Sequence, residues 1–187
     1  MTEFIKYINQ ITPQTEEAKS DLVNSFKYRT FKKGQFINEE GQICKQLYFI
    51  DTGLVKHYYN YKNRIFILRF FPENNIFTVL DSFINQEPAS FMTIALEETS
   101  TTYIDHNDLE LLSSKYHSIE TFIRKTYEMS SVVNLKRIKE LFESNATELY
   151  KSFIIENKHL LQRISLGDIA SYLGISQVSL SRIRRKR

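Results

Sequence analysis

The sequence predicts an α+β fold: a β-rich N-terminal part flanked by helices, one long helix, and an all-α C-terminal part that ends in a helix-turn-helix. Three observations predict it. Between Tyr28 and Ile104, β-branched and aromatic residues come in short runs. Residues Tyr116 to Phe142 then form 27 positions without glycine or proline. Ser165 to Lys186 carries apolar residues at the spacing of two short crossed helices and becomes strongly basic at its end.

Two short helices open the chain, at Thr2 to Ile11 and Thr15 to Phe26, with Pro13 just ahead of the second. Strand-like runs follow at Tyr28–Phe31, Gln46–Ile50, Leu54–Tyr59, Arg64–Phe70, Phe91–Ala95 and Thr101–Ile104. Turn residues separate them at Lys33-Gly34, Glu40-Gly41, Asp51-Thr52-Gly53, Pro72 to Asn75 and Gln86-Glu87-Pro88. Many short strands at this spacing suit an antiparallel barrel or sandwich better than a βαβ sheet. Asn107 to Ser113 reads as one more short helix.

In the long helix, Ile119, Phe122, Met129 and Val133 fall near heptad spacing, and Leu135, Ile138, Leu141 and Phe142 continue on a shifted face. This pattern fits a helix packed on its own domain. It also fits a dimer seam whose second face covers the barrel.

Ser165 can cap a helix through Leu173, with Asp168 opposing the helix dipole and able to reach back to the cap. Ile169 and Leu173 face inward, Leu166 and Tyr172 more weakly, and Ala170 is small where a second helix must cross. Gly174 supplies the turn, Ile175 fills the corner, and Ser176 caps a second helix whose Leu180 and Ile183 point to the core. Gln177, Val178, Ser179, Ser181, Arg182 and Arg185 are left free for a DNA groove. Gln177 suits adenine, Arg182 guanine, and Val178 only a thymine methyl. Ser165, Ser176 and Ser179 suit phosphate contacts, while Arg184, Lys186 and Arg187 add salt-dependent affinity without sequence choice.

Charge points the same way. The net charge is +3, yet from Asn157 onward seven basic residues face one acid, a net +6 that leaves −3 for the rest. A mildly acidic body with a basic end is the footprint of a module that docks on a polyanion. The single cysteine, Cys44, allows no internal disulfide and fits a reducing compartment. With no apolar run of membrane-spanning length and no basic-then-apolar start, the chain reads as cytoplasmic, without a membrane partner.

The whole chain resembles the Crp/Fnr family of bacterial regulators. Lys33-Gly34-Gln35-Phe36-Ile37 with Gly41, then Leu47 to Lys56, looks like the family's paired glycine turns and strand pair. Asp168 to Ser176 with Ser181-Arg182-Ile183 resembles its recognition element. The resemblance implies a cupin-like β-roll sensor over 1–115, a dimerisation helix over 116–142 and a helix-turn-helix DNA-binding domain over 143–187. It further implies a homodimer on a two-fold symmetric operator in double-stranded DNA, in contact with RNA polymerase.

The departures concern the signal. Cyclic-nucleotide binders of the family carry a phosphate cassette with Gly-Glu-Leu and, downstream, Arg-Ser. Aligning Ser90 with that serine puts Ala89 at the arginine, and Thr78 and Val79 at the glycine and glutamate. Neither alanine nor valine can neutralise a cyclic phosphate or hold a ribose hydroxyl. No iron–sulfur cluster fits a chain whose sole cysteine is Cys44. His57, His106, His117 and His159 stand apart, so neither a metal site nor catalytic residues are expected, and the chain reads as no enzyme. Val178 replaces an acid usual in the family, which implies a different operator. The effector is left open, as is a constitutive DNA binder whose roll is structural or docks a protein. The cassette predicts that cAMP does not bind; micromolar affinity in a calorimetric titration would contradict it.

Overall fold

The N-terminus packs as two capped helices, α1 (Glu3–Ile11) and α2 (Glu16–Ser25), opened by the Thr2 and Thr15 hydroxyls. The computed structural model describes residues 2–185. Eight strands follow: β1 (Lys27–Phe31), β2 (Phe36–Asn38), β3 (Gln46–Thr52), β4 (Val55–Tyr61), β5 (Arg64–Phe71), β6 (Ile76–Phe77), β7 (Met92–Ala95) and β8 (Thr99–Asp105). A short helix, α3 (Leu80–Asn85), lies between β6 and β7. The strands form two four-stranded antiparallel sheets, in the orders β1-β8-β3-β6 and β2-β7-β4-β5. The predicted barrel or sandwich is thus the two-sheet roll.

Alternation along the strands sorts side chains between layers. Phe31, Tyr48, Ile50, Val55, Phe71, Phe77 and Ala95 pack between the sheets. On the outside of the first sheet, Leu47, Phe49 and Ile104 meet α1, α2 and the helices that follow the roll. Phe4 stacks there between Phe26 and Phe49, with ring centroids 4.8 and 4.9 Å away. On the outside of the second sheet, Leu54, Tyr58, Ile67, Phe70 and Met92 meet the C-terminal helices. Both sheets are therefore covered on both faces, which is why β3 is buried continuously from Leu47 to Ile50.

Two turns depend on special backbone. Lys62 and Asn63 both have positive φ, making the two-residue turn that joins β4 to β5. Gly53 has φ +104°, and a Cβ there would lie 2.4 Å from Thr99 Oγ1.

After the roll come α4 (His106–Lys115), α5 (His117–Glu143), α6 (Ala146–Glu156), α7 (Leu166–Leu173) and α8 (Gln177–Arg185). Asn145 and Glu148 form a reciprocal capping box at the start of α6. The structure divides the long helix in the opposite sense to a seam-first reading. Ile119 and Phe122 are wholly buried in the subunit's own core, together with α1, α2 and α4. Met129 and Val133 are about half exposed, and the shifted face does not cover the roll. Val132 and Leu135 are each 65% exposed and Phe142 86%, because α5 runs past the domain after its first turns. No described helix is long and apolar enough to cross a membrane.

His57 on β4 is buried inside the roll, with Nδ1 2.9 Å from the Thr93 hydroxyl and its ring stacked on Phe91. Burial lowers its pKa to about 4 from an ordinary 6.5, against the opposing pull of Asp81. An unfolded chain takes up this proton below pH 6.5, while the folded chain resists until about 4, so stability falls as pH drops through that window. A urea titration should show a larger loss from pH 7 to pH 5 for the natural chain than for His57→Gln; equal losses would contradict the neutral burial of His57.

Candidate nucleic-acid interface and sensor cassette

The last two helices have the geometry expected of a reading unit. Ser165 Oγ accepts from the Asp168 amide at 3.0 Å and starts α7. At its end, Gly174 takes φ +70°, the Ile175 amide donates to Ala170 O at 3.0 Å and the Gly174 amide donates to Ser171 O at 3.4 Å. This paired closure needs a left-handed residue, which glycine supplies without strain. Ser176 Oγ then accepts from the Ser179 amide at 3.1 Å and starts α8. Leu180 is fully buried, Ile169, Ala170 and Leu173 pack with it, and Ile175 and Ile183 close the edges.

On the other side of α8, Ser176, Gln177, Val178, Ser181, Arg182, Arg184 and Arg185 are exposed, and Ser179 is half-buried. Ser165 is exposed at the start of α7. Lys186 and Arg187 lie outside the described residues. Leu166 is exposed rather than turned inward. Gln177 also has a role inside the unit: its amide lies across Gly167, where an added Cβ would come within 2.5 Å of Nε2. The close crossing thus falls at Gly167 as well as Ala170.

This pair of helices is not set apart from the roll. Phe70 on β5 meets Tyr172 and Phe153, with ring centroids 5.6 and 6.3 Å away. Lys56 Nζ on β4 binds Asp168 Oδ1 at 2.6 Å, in a half-buried pair. Asp168 takes a hydrogen bond from the Ser165 hydroxyl with its other oxygen, at 2.8 Å, so its second bond is to the roll rather than to the cap backbone. Arg163 joins Glu73 at 2.7 and 3.0 Å and also binds Glu97. Arg137 on α5 lies 4.0 Å over the Tyr172 ring and donates to its carbonyl.

Sequence reasoning missed these links because they join positions 35 to 112 residues apart. Two of them change the charge count. Arg163 is committed to two acids of the roll, and Asp168 to a lysine of it, so the free positive charge sits on α8.

The cassette positions gather around α3. Val79 and Ala89 are buried with Cys44, and Phe91 packs against them, so an apolar plug fills the position. Thr78 Oγ1 donates to Gln46 O at 2.9 Å, and exposed Ser90 donates to Asp81 Oδ2 at 3.2 Å. A carboxylate therefore occupies the serine hydroxyl that a phosphate would need.

Comparison with known proteins agrees with this geometry. Residues 28–116 match the family model of the cyclic nucleotide-binding domain. No curated protein sequence matches the chain. A putative transcriptional regulator of the Crp/Fnr family from Eubacterium rectale superposes with a TM-score of 0.74 at 15% identity, over 92% of this chain and 83% of that one. CLP of Xanthomonas campestris, described as a c-di-GMP responsive global regulator, gives 0.73 at 15% identity, over 92% and 91%. FixK2 from Bradyrhizobium japonicum gives 0.72 at 21% identity, over 86% and 83%. The roll is thus a domain of the cyclic nucleotide-binding type. The chain as a whole has the fold of the Crp/Fnr regulators, a group of regulators rather than enzymes.

Glu73 marks the junction between roll and reading unit. Its hydrogen bonds from Arg163 hold its pKa at about 2, below the ordinary 4.5. A carboxylate so lowered contributes stability above its unfolded pKa and loses it as pH falls from about 4.5 toward 2. Limited proteolysis should cut the α6–α8 region faster in Glu73→Gln at pH 7, and acid should narrow the difference from the natural chain. Equal cutting at pH 7 would mean the pair does not hold the junction.

Proposed function

We propose that the chain is a Crp/Fnr-type transcriptional regulator that binds double-stranded DNA as a homodimer and does not respond to cAMP. The observation that carries this is α8, which rests on buried Leu180 and turns Gln177, Val178, Ser181, Arg182, Arg184 and Arg185 outward without an acid among them. Its N-terminal residues are placed to meet base edges, with Ser165, Ser176 and Ser179 on phosphates. Arg182 makes the two-pronged guanine contact, Gln177 a polar base edge and Val178 a methyl contact. Arg184, Arg185 and Lys186 strengthen binding without choosing sequence.

Dimerisation uses the exposed second half of α5. Val132, Leu135, Ile138 and Phe142 lie three or four residues apart on one side of a helix about 40 Å long, with Met129 and Val133 at the margin. Ile119 and Phe122 anchor the same helix to its own subunit. In this reading 1–115 is the sensor, 116–142 the dimer helix and 143–187 the DNA-binding part. The protein works in the cytoplasm, and RNA polymerase is its further partner.

A second reading, a constitutive binder, is favoured by the apolar plug at Val79 and Ala89. Selecting bound sites from random DNA, with and without a metabolite extract, separates the two. On the selected operator, Arg182→Ala should weaken specific binding by about 1–3 kcal/mol and relax one base pair, whereas removing Lys186 and Arg187 should mainly reduce the salt slope. Unchanged specificity in Arg182→Ala would overturn the placement of the reading helix.

A further inference from the structure

A cavity of about 130 Å³ opens between α1, the β5–β6 corner and the middle of α5, apart from the plugged cassette. Its polar lining includes Tyr7, Asn75, Thr126, Tyr127 and Ser130, and no acid lines it. Leu47, Phe71, Ile76 and Phe77 add apolar wall. One cation, Arg69, borders the space, and Val79, Ala89 and Ser90 do not.

Arg69 is the unusual member. It is mostly removed from solvent, and among the described residues it has no hydrogen bond and no ion pair. Its guanidinium lies 4.9 Å over the Phe71 ring, and only the Tyr7 and Tyr172 hydroxyls act on it electrostatically. Every other ion pair between the roll and the C-terminal helices has its carboxylate in place. A buried guanidinium without an acid is costly, and it presents a fork of donors matched to a carboxylate.

We propose that this cavity binds a small organic carboxylate, with its head on Arg69 and its apolar body against Leu47, Ile76 and Phe77. Size sets the class. A dry cavity of about 150 Å³ accepts benzene, so this one suits a single ring or a short chain. Pockets for larger ligands run to roughly 300–1,000 Å³, which leaves a nucleotide too large here.

Arg69 also borders a second cavity, of about 330 Å³, lined by Arg137, Glu156, His159 and Tyr172. A carboxylate that draws the Arg69 charge toward α1 takes it away from Tyr172, the residue through which α7 meets β5. This link makes the carboxylate a signal to the reading helices, and it rests on the proposed function. The binding site itself does not.

The test uses the full chain without DNA and three probes, butyrate, hexanoate and benzoate, with benzyl alcohol as a neutral control. At least one carboxylate should bind once per chain, and more tightly than the alcohol. Arg69→Gln should weaken it about 10- to 100-fold, in proportion to a lost charge-assisted bond. Because Arg69→Gln must be shown to fold by its melting transition, Ser130→Phe provides an independent variant that keeps the cation, fills the cavity and should abolish binding. Failure of all three carboxylates, undiminished binding in Ser130→Phe, or equal affinity in a folded Arg69→Gln would overturn the site. Operator binding is measured separately, so its loss would overturn the regulator and leave the carboxylate site standing.

Discussion

Adjacent phenylalanines at the end of β5 hold the two halves of the molecule together. Phe71 points into the roll and packs 5.7 Å from Phe77, while Phe70 points out and meets Phe153 and Tyr172. Through that outward face, Leu149, Leu160, Ile164, Ile169, Leu173 and Leu180 join one apolar cluster with Leu54, Tyr58, Ile67 and Met92. Burying an aromatic side chain removes roughly 150–250 Å² from water at about 25 cal/mol per Å², several kcal/mol for each ring. The half-exposed ion pairs at the rim are worth about 1 kcal/mol or less apiece. Apolar contact therefore holds the reading helices to the roll, and Lys56, Arg163 and Arg137 set the angle at which they are held.

The sensor half follows a similar economy of charge. Where related domains need a cation and an acid, this chain has Ala89 and Val79, and Cys44 and Phe91 close the space around them. Asp81 then lies on Ser90, and His57 stays neutral in the interior. The cation is found on another wall, at Arg69, beside a smaller and more apolar space. A roll that has lost one charged pocket has not become featureless; its chemistry is placed closer to the long helix.

Much of this was legible in the sequence because it depends on local pattern. Gly174, the capping serines and the buried Leu180 are readable from spacing within ten residues, and the structure has them as expected. Short runs between turn residues likewise revealed the two-sheet roll. The long helix was read correctly in extent and wrongly in face. Ile119 and Phe122 satisfy a heptad rule, yet their apolar side chains meet Phe4 and Leu109 of the same subunit. Periodicity reports that a face is buried and is silent about what buries it. Arg163, Asp168 and Arg69 show the same limit for charge, since their partners, or their lack of them, depend on residues far along the chain.

The shared cluster across β5 has a consequence for movement. A helix pair that floated on a flexible tether would reorient at almost no cost and without a thermal signature. Here, any excursion that lifts α7 from the sheet wets Phe70, Tyr58 and Tyr172 together, and newly wetted apolar surface raises the heat capacity. Reorientation of the reading helices is thus a discrete step between packed arrangements, more like a latch than a pendulum.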